Sequence, residues 1–485
     1  MKSEQSIINF ENVFFTYPKK PALEGINLSV MEGEFLAVMG ENGAGKTTLC
    51  KLINGIVPHF SGGQMRGTVT VDGINTRETS VSRLAYKVGI VLDDPDAQVF
   101  SSTVFNEVAF GPENICLPPQ EIEQRVSYAL AAVGLCGFED RIPATLSGGE
   151  KQRLSIAAAL AMKGKILVLD EPLCHLDPQG EKDFMSVLSE IKKQNNITIV
   201  MVSHNSDLML QYADRVCVLK DGYIIALESA KNIFSGSLPE EYGIQPLCID
   251  ENIIYDDSAE VNQNVIPAVE FKNFCFSYTG ILNIENLNLS ILENDFIAII
   301  GNNGCGKTTL LKNITGLLRP YSGDIFIRGR NTKDLSVSDI SKEAGFVMQN
   351  PDNQLFTDSV YKEVTFALKN NRLSKIEIKK RAEDALKTVG LDAYEVFLHI
   401  LSKSDRARTV LACVLAMQSK ILLFDEIDAG NDYRGCLQIM NIMKDLNKRG
   451  FTIIFVTHNM SLAYRYANRI IKMDKKGIVF DRRRH

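Results

Sequence analysis

Residues 34–49 read EFLAVMGENGAGKTTL: an apolar run, a glycine-rich turn, then the opening of a helical pattern. A buried strand is expected over 34–39, a loop over 40–45 and a helix start over 46–55. The turn fits the spacing G-x-x-x-x-G-K-[ST]. Its glycines let backbone N–H groups converge on phosphate oxygens, Lys46 adds a point charge, and the Thr47 hydroxyl is suited to a Mg²⁺ ion. The helix that follows presents its positive end to the anion.

The pattern occurs twice. GNNGCGKTTL at 301–310 repeats GENGAGKTTL at 40–49 with an offset of 261. VFFTY ending at Tyr17 repeats as FCFSY ending at Tyr278 with the same offset. ILVLDE ending at Glu171 repeats as ILLFDE ending at Glu426, and VSH ending at His204 as VTH ending at His458, with offsets of 255 and 254. A domain-sized period means a duplicated domain, not a solenoid. Later strands are expected at 200–203 and 216–219. Strand–loop–helix alternation within each copy predicts an α/β fold with a mainly parallel sheet flanked by helices. The expected division is 1–230, a linker over 231–267 that holds Pro239, Gly243, Pro246 and an acidic scatter, and 268–485.

Bulk composition narrows the class. At 485 residues, with 45% apolar and 23% charged residues, the chain is of ordinary globular make-up. A net charge of -6 speaks against a general nucleic-acid binder. The ten cysteines are scattered singly with no C-x-x-C pair, which argues against a zinc or iron–sulfur site and fits reduced thiols. The first residues carry no apolar signal core. Apolar stretches such as 197–202 and 421–424 fall far short of the ~20 residues a membrane helix needs. No lipid insertion by the chain itself is expected, so any membrane role must come through partners.

The apolar runs ending in Asp170-Glu171 and Asp425-Glu426 suit the second half of a nucleotide site. An aspartate at a strand end holds Mg²⁺, and the adjacent glutamate polarises the attacking water. LSGGE at 146–150, before an amphipathic helix, completes the pattern, because a glycine-rich helix start is an anion site. With these motifs the chain resembles the ATP-binding-cassette ATPases over nearly its whole length. The resemblance implies two P-loop domains, each with an antiparallel β subdomain and a helical signature subdomain.

It further implies ATP and Mg²⁺ as ligands. ATP is expected on Tyr17 (stacking on adenine), Gly40, Glu41, Asn42, Gly43, Ala44, Gly45, Lys46, Thr47 and Thr48. The matching set is Tyr278, Gly301, Asn302, Asn303, Gly304, Cys305, Gly306, Lys307, Thr308 and Thr309. Metal is expected on Thr47 and Asp170, and on Thr308, Asp425 and Gln349. Catalytic roles fall to Glu171 and His204, and to Glu426, His458 and Gln349. The signature Leu146, Ser147, Gly148, Gly149 and Glu150 would dock onto the γ-phosphate of the other domain's ATP. Cys305 stands where the first copy has Ala44, and a maleimide there is expected to block nucleotide.

QNPDNQLF at 349–356, with DDPDAQVF at 93–100, is similar to a loop of the energy-coupling-factor importer ATPases, which serve vitamin or transition-metal uptake. That likeness implies a transmembrane coupling subunit and a substrate-binding membrane subunit as partners, at the cytoplasmic face of the membrane. Apolar Val99-Phe100 and Leu355-Phe356 after the acidic turns are candidate docking residues. The alternatives are a tandem sugar-importer ATPase and a soluble cassette protein of ribosomes or DNA.

The copies differ. The second signature reads LSKSD at 401–405, and Ile427 and Asn431-Asp432-Tyr433 stand where the first copy has Pro172 and Leu176-Asp177-Pro178. Asp93 occupies the place of Gln349. In a head-to-tail pairing the site of Lys307, Asp425, Glu426, Gln349 and His458 receives LSGGE. The site of Lys46, Asp170, Glu171 and His204 receives LSKSD. One hydrolytic site and one binding site are expected. The Arg482-Arg483-Arg484 run reads as a solvated tail.

Overall fold

A computed structural model describes residues 6–18, 20–174, 176–235, 238–247, 255–257, 266–278, 282–369, 373–391, 396–426, 428, 430–475 and 477–484. Ile427 and residues 236–237, 248–254 and 258–265 of the expected linker lie outside these residues. The chain divides into two compact units, Met1–Leu247 and Cys248–His485.

In the first unit the expected strand is Phe35–Gly40 and the helix after it is Lys46–Ile53. The strand lies inside a six-stranded sheet, in the order Tyr223–Ser229, Arg215–Lys220, Phe35–Gly40, Thr198–Val202, Ile166–Asp170, Val88–Val91. Its pairings are parallel except at the Tyr223–Ser229 edge. Side-chain alternation decides what each strand buries. Phe35, Ala37 and Met39 feed a core shared with the helices, whereas Leu36 and Val38 feed a second core on the other face. The same split runs through Leu167 and Leu169 against Ile166 and Val168. A strand covered on both faces reads as a continuous apolar run, which is why the sequence shows no alternation there.

The second face is covered by an antiparallel sheet, Lys20–Met31, Ser6–Tyr17, Gln64–Val71, Ile74–Asn75. The helical side carries Val104–Asn114, Pro119–Ala132 and the signature helix Gly148–Ala161.

The second unit repeats this plan. Its main sheet runs Arg469–Asp474, Phe296–Gly301, Thr452–Val456, Ile421–Asp425, Ala344–Val347, all parallel, with Gly477–Arg484 and Tyr255–Asp257 added antiparallel at one edge. The antiparallel sheet is Leu282–Ile291, Val269–Ser277, Ser322–Ile327, Arg330–Asn331. Its helical side carries Val360–Lys369, Lys375–Thr388 and Lys403–Ala416.

Two places depart from the reading of the sequence. The segment expected to begin the linker packs on the first unit, with Ile233, Phe234 and Ile244 buried in its helix-side core. The arginine run is not a solvated tail but part of a strand. Arg483 donates to both oxygens of Asp295 at 2.9 Å, and Asp295 is 3% exposed. Arg469 completes that network through Asp295 and Asp481.

Candidate functional site

In each unit the phosphate loop is shaped by contacts that exclude a side chain. Gly40 has φ +142, and a Cβ on it would lie 2.1 Å from the Leu219 carbonyl oxygen. Gly301 has φ +152 with the Met473 oxygen at 2.3 Å. The helices then start at Gly45 and Gly306, both left-handed, and neither makes a side-chain cap. An anion is the natural partner for N–H groups at such a helix start.

Lys46 donates from Nζ to the carbonyls of Gly40 (2.9 Å) and Glu41 (3.1 Å), and Lys307 to those of Gly301 (2.8 Å) and Asn302 (3.1 Å). Both ammonium groups are thus held inside the loop with almost no exposure. A cavity of about 250 Å³ opens beside the first loop, lined by Tyr17, Lys20, Pro21, Asn42, Gly43, Lys46, Thr47, Thr48 and Glu171 among others. Tyr17 and Tyr278 stand beside the loops, their hydroxyls 3.4 and 3.3 Å from Thr48 and Thr309.

The acid pairs close the other side. Glu171 and Glu426 occupy the left-handed region, with φ +48 and +45, a strain that tends to gather at functional positions. His204 Nε2 lies 3.0 Å from Glu171 Oε1, and His458 Nε2 lies 3.0 Å from Glu426 Oε1. The lysine of each loop is 4.0 Å and 3.9 Å from the same glutamates. In the second unit Gln349 adds a donor, Nε2 to Glu426 Oε2 at 2.9 Å, and Thr308 donates to Asp425 Oδ1 at 2.9 Å. In the first unit Asp93 takes the glutamine's place, and its carbonyl accepts from the Cys174 thiol at 3.8 Å.

Burial pushes both strand-end aspartates up to about 6. The charges of Glu171 and Asp93 push Asp170 the same way, and Asp170 Oδ1 is buried without a hydrogen-bond partner. A buried carboxylate oxygen without a protein partner, as in Asp170, fits a hard cation.

Cys305 fills the position of Ala44 and is 2% exposed, and burial raises its thiol. A buried thiol of raised pKa is a poor nucleophile, so the expected ready block by maleimide is not supported at this cysteine.

The signature helix starts differ in detail. In the first unit Ser147 and Glu150 form a reciprocal capping box: the Glu150 carboxylate accepts from the Ser147 N–H (2.7 Å) and hydroxyl (2.8 Å). In the second unit Ser402 caps through the Asp405 N–H at 3.1 Å. Asp405 aligns with Glu150, and its carboxylate pairs with Arg408. Lys403 and Ser404 replace Gly148 and Gly149 at that helix start, with the Lys403 ammonium beside Gly430 and the Ser404 side chain beside Gly435.

The loop at 93–100 and 349–356 has a built interior that the motif alone does not reveal. Gln98 and Gln354 each staple it to a sheet strand, accepting from the Leu92 and Met348 N–H and donating to the Ile90 and Phe346 carbonyls. Buried Glu107 and Glu363 accept from its last N–H groups. Asp96 pairs with Lys151 at 2.5 Å, and Asp352 with Arg406 at 2.6 Å, so the loop is fastened to the signature helix of its own unit. Val99 and Leu355 pack on the cores, while Phe100 and Phe356 are each 66% exposed and edge-on to Phe110 and Phe366. The spacing of seven residues from Phe100 to Glu107 and from Phe356 to Glu363 was the available sequence signal.

A glycine loop between a buried strand and an uncapped helix, faced by an aspartate, a glutamate and a histidine, defines a P-loop ATPase, and here it occurs twice. The sequence model described as "ABC transporter" matches residues 23–174 and 284–429. The chain belongs to this family of ATP-binding-cassette ATPases. It is 35% identical to a protein of Caldanaerobacter subterraneus subsp. tengcongensis that carries the provisional name ABC transporter ATP-binding protein, over 97% of this chain and 90% of that one. A protein of the same provisional name from Methanosarcina mazei is 36% identical, over 98% of this chain and 95% of its own. Among solved structures, cbiO1 from Clostridium perfringens, described as part of the ABC transporter complex cbiONQ, is 36% identical over 48% of this chain and 93% of that chain, with a TM-score of 0.45. Among the described residues no helix is long and apolar enough to cross a membrane.

Proposed function

We propose that the chain is the ATP-hydrolysing subunit of a membrane importer of the energy-coupling-factor type, with one complete and one degenerate ATP site. The observation that carries the membrane reading is the exposed aromatic pair repeated in both units, Phe100 on Phe110 and Phe356 on Phe366. An exposed aromatic pair that follows an acidic turn suits a helix of a membrane subunit. The loop's resemblance to QNPDxQ[LV]F supports the importer subtype, for vitamins or transition-metal ions. The chain would then work at the cytoplasmic face, beside a coupling subunit and a substrate-binding subunit.

Within each composite site the phosphate loop and lysine hold the nucleotide. Thr47 and Asp170, or Thr308, Asp425 and Gln349, would hold Mg²⁺. When bound, the ion neutralises charge on the β- and γ-phosphates. Glu426, flanked by Gln349 and His458, takes the proton of the attacking water. In a head-to-tail pairing LSGGE of the first unit would face that site. In the same pairing LSKSD, with Lys403 and Ser404 in place of two glycines, would face the site of Lys46, Glu171 and His204.

Replacing both Phe100 and Phe356 with serine tests the docking reading. The protein is expected to leave the membrane fraction of its native cells while the isolated chain keeps its ATP affinity. Continued membrane association would contradict it. Co-sedimentation of the native chain with ribosomes, and not with membranes, would favour a soluble cassette protein instead.

A further inference from the structure

The second unit carries a buried carboxylate that the first lacks. Two residues beyond the glutamate of each acid pair stands Leu173 in the first unit and Asp428 in the second. Leu173 is 6% exposed and packs in the helix-side core, so the fold itself asks only for an apolar group there. Asp428 instead accepts a hydrogen bond at Oδ2 from the Thr457 hydroxyl, at 2.7 Å. Its Oδ1 is buried with no partner, an expensive state that rarely persists without use. Burial raises its pKa, and the neighbouring charge of His458 opposes the rise.

Thr457 directly precedes His458 and is 1% exposed. Its hydroxyl also accepts from the Asn459 N–H at 2.9 Å, and Asn459 caps the helix Met460–Tyr466 through the Leu462 N–H at 3.1 Å. In the first unit Ser203 accepts the equivalent bond from the Asn205 N–H at 3.1 Å, and the place of Asp428 is taken by the apolar Leu173.

We infer that Asp428 is a positioning residue of the second unit's hydrolytic centre: through Thr457 it ties the loop that follows Glu426 to the peptide that carries His458. The inference rests on the reading of Glu426 and His458 as the hydrolytic pair and deepens the difference between the two sites. Both ends of the tie bear on a contact only 3.0 Å long, Glu426 Oε1 to His458 Nε2. Catalytic geometry is sensitive to displacements well below the size of an atom.

Steady-state ATPase kinetics of the full-length chain test the tie. Asp428→Leu, which copies the first unit, and Thr457→Val are each expected to lower kcat about five- to tenfold, the scale of one lost buried hydrogen bond. The KM for ATP should stay within about twofold, because the phosphate loop is untouched. Thr457→Ser and Asp428→Asn keep a hydroxyl donor and an oxygen acceptor and should retain most of kcat. The double variant Asp428→Leu/Thr457→Val should be no slower than the slower single one, since both remove the same bond. Unchanged kcat in Asp428→Leu and Thr457→Val, or multiplicative losses in the double variant, would overturn the assignment. So would an Asp428→Asn loss as large as that of Asp428→Leu. If Asp428→Leu does not fold, Thr457→Val against Thr457→Ser carries the same decision. Glu426→Gln measured alongside separates the two readings: if it abolishes turnover while these variants are silent, only the role of Asp428 falls.

Discussion

Glu426→Gln is expected to lower ATP turnover by about 10²–10⁴-fold, while Glu171→Gln leaves a substantial part of it. The amide keeps the size of the carboxylate and its contacts with His458 and Gln349, so what is lost is the proton acceptor. Both glutamates have the same strained backbone and the same histidine at 3.0 Å. The difference lies around them. Only Glu426 has a glutamine on its second oxygen, and in the proposed pairing only its site receives an open glycine signature. Steady-state phosphate release by the assembled transporter, or by the full chain alone, measures both variants. Equal losses would remove the case for unequal sites.

The second large effect is on nucleotide binding. Gly301→Ala places a Cβ 2.3 Å from the Met473 carbonyl oxygen and 2.9 Å from the Cys305 sulfur, at a φ of +152 that alanine rarely adopts. The carbonyl belongs to the central sheet and has nowhere to go, so the loop must shift. Strain of this kind costs about 1–3 kcal/mol before any lost phosphate contacts are counted. A fall of about 100-fold in ATP affinity at the second unit is therefore expected. Gly40→Ala should act alike on the first unit, where the clash with Leu219 is closer still. Titration with a fluorescent ATP analogue reads the effect, and a melting curve separates loss of the site from loss of the fold.

Much of this was legible in the chain because each motif sits on an element whose burial enforces it. The strand Phe35–Gly40 and the helix Lys46–Ile53 fall within two residues of where periodicity put them, since an apolar run sealed on both faces has little freedom of register. The grouping of Lys307, Asp425, Glu426, Gln349 and His458 was implied by the resemblance of the motifs to the ATP-binding-cassette ATPases, and the structure brings these side chains together. What escaped was set by partners distant in sequence. Nothing local says that Arg483 meets Asp295, that Asp352 meets Arg406, or that the segment after Ser229 buries Ile233 and Phe234. Adjacent apolar residues were likewise inseparable as text: Val99 packs inward and Phe100 faces solvent. Asp428 was invisible for a further reason. It breaks a pattern at a place where a bare sequence offers only a loop residue.

The inequivalence of the two sites is tested most directly by counting phosphate released per chain when both sites are first filled with radiolabelled ATP and then chased with excess unlabelled ATP. One labelled phosphate per chain should appear at the steady-state rate, with the second label leaving only slowly or as intact ATP. Two labelled phosphates released at the same rate would contradict it.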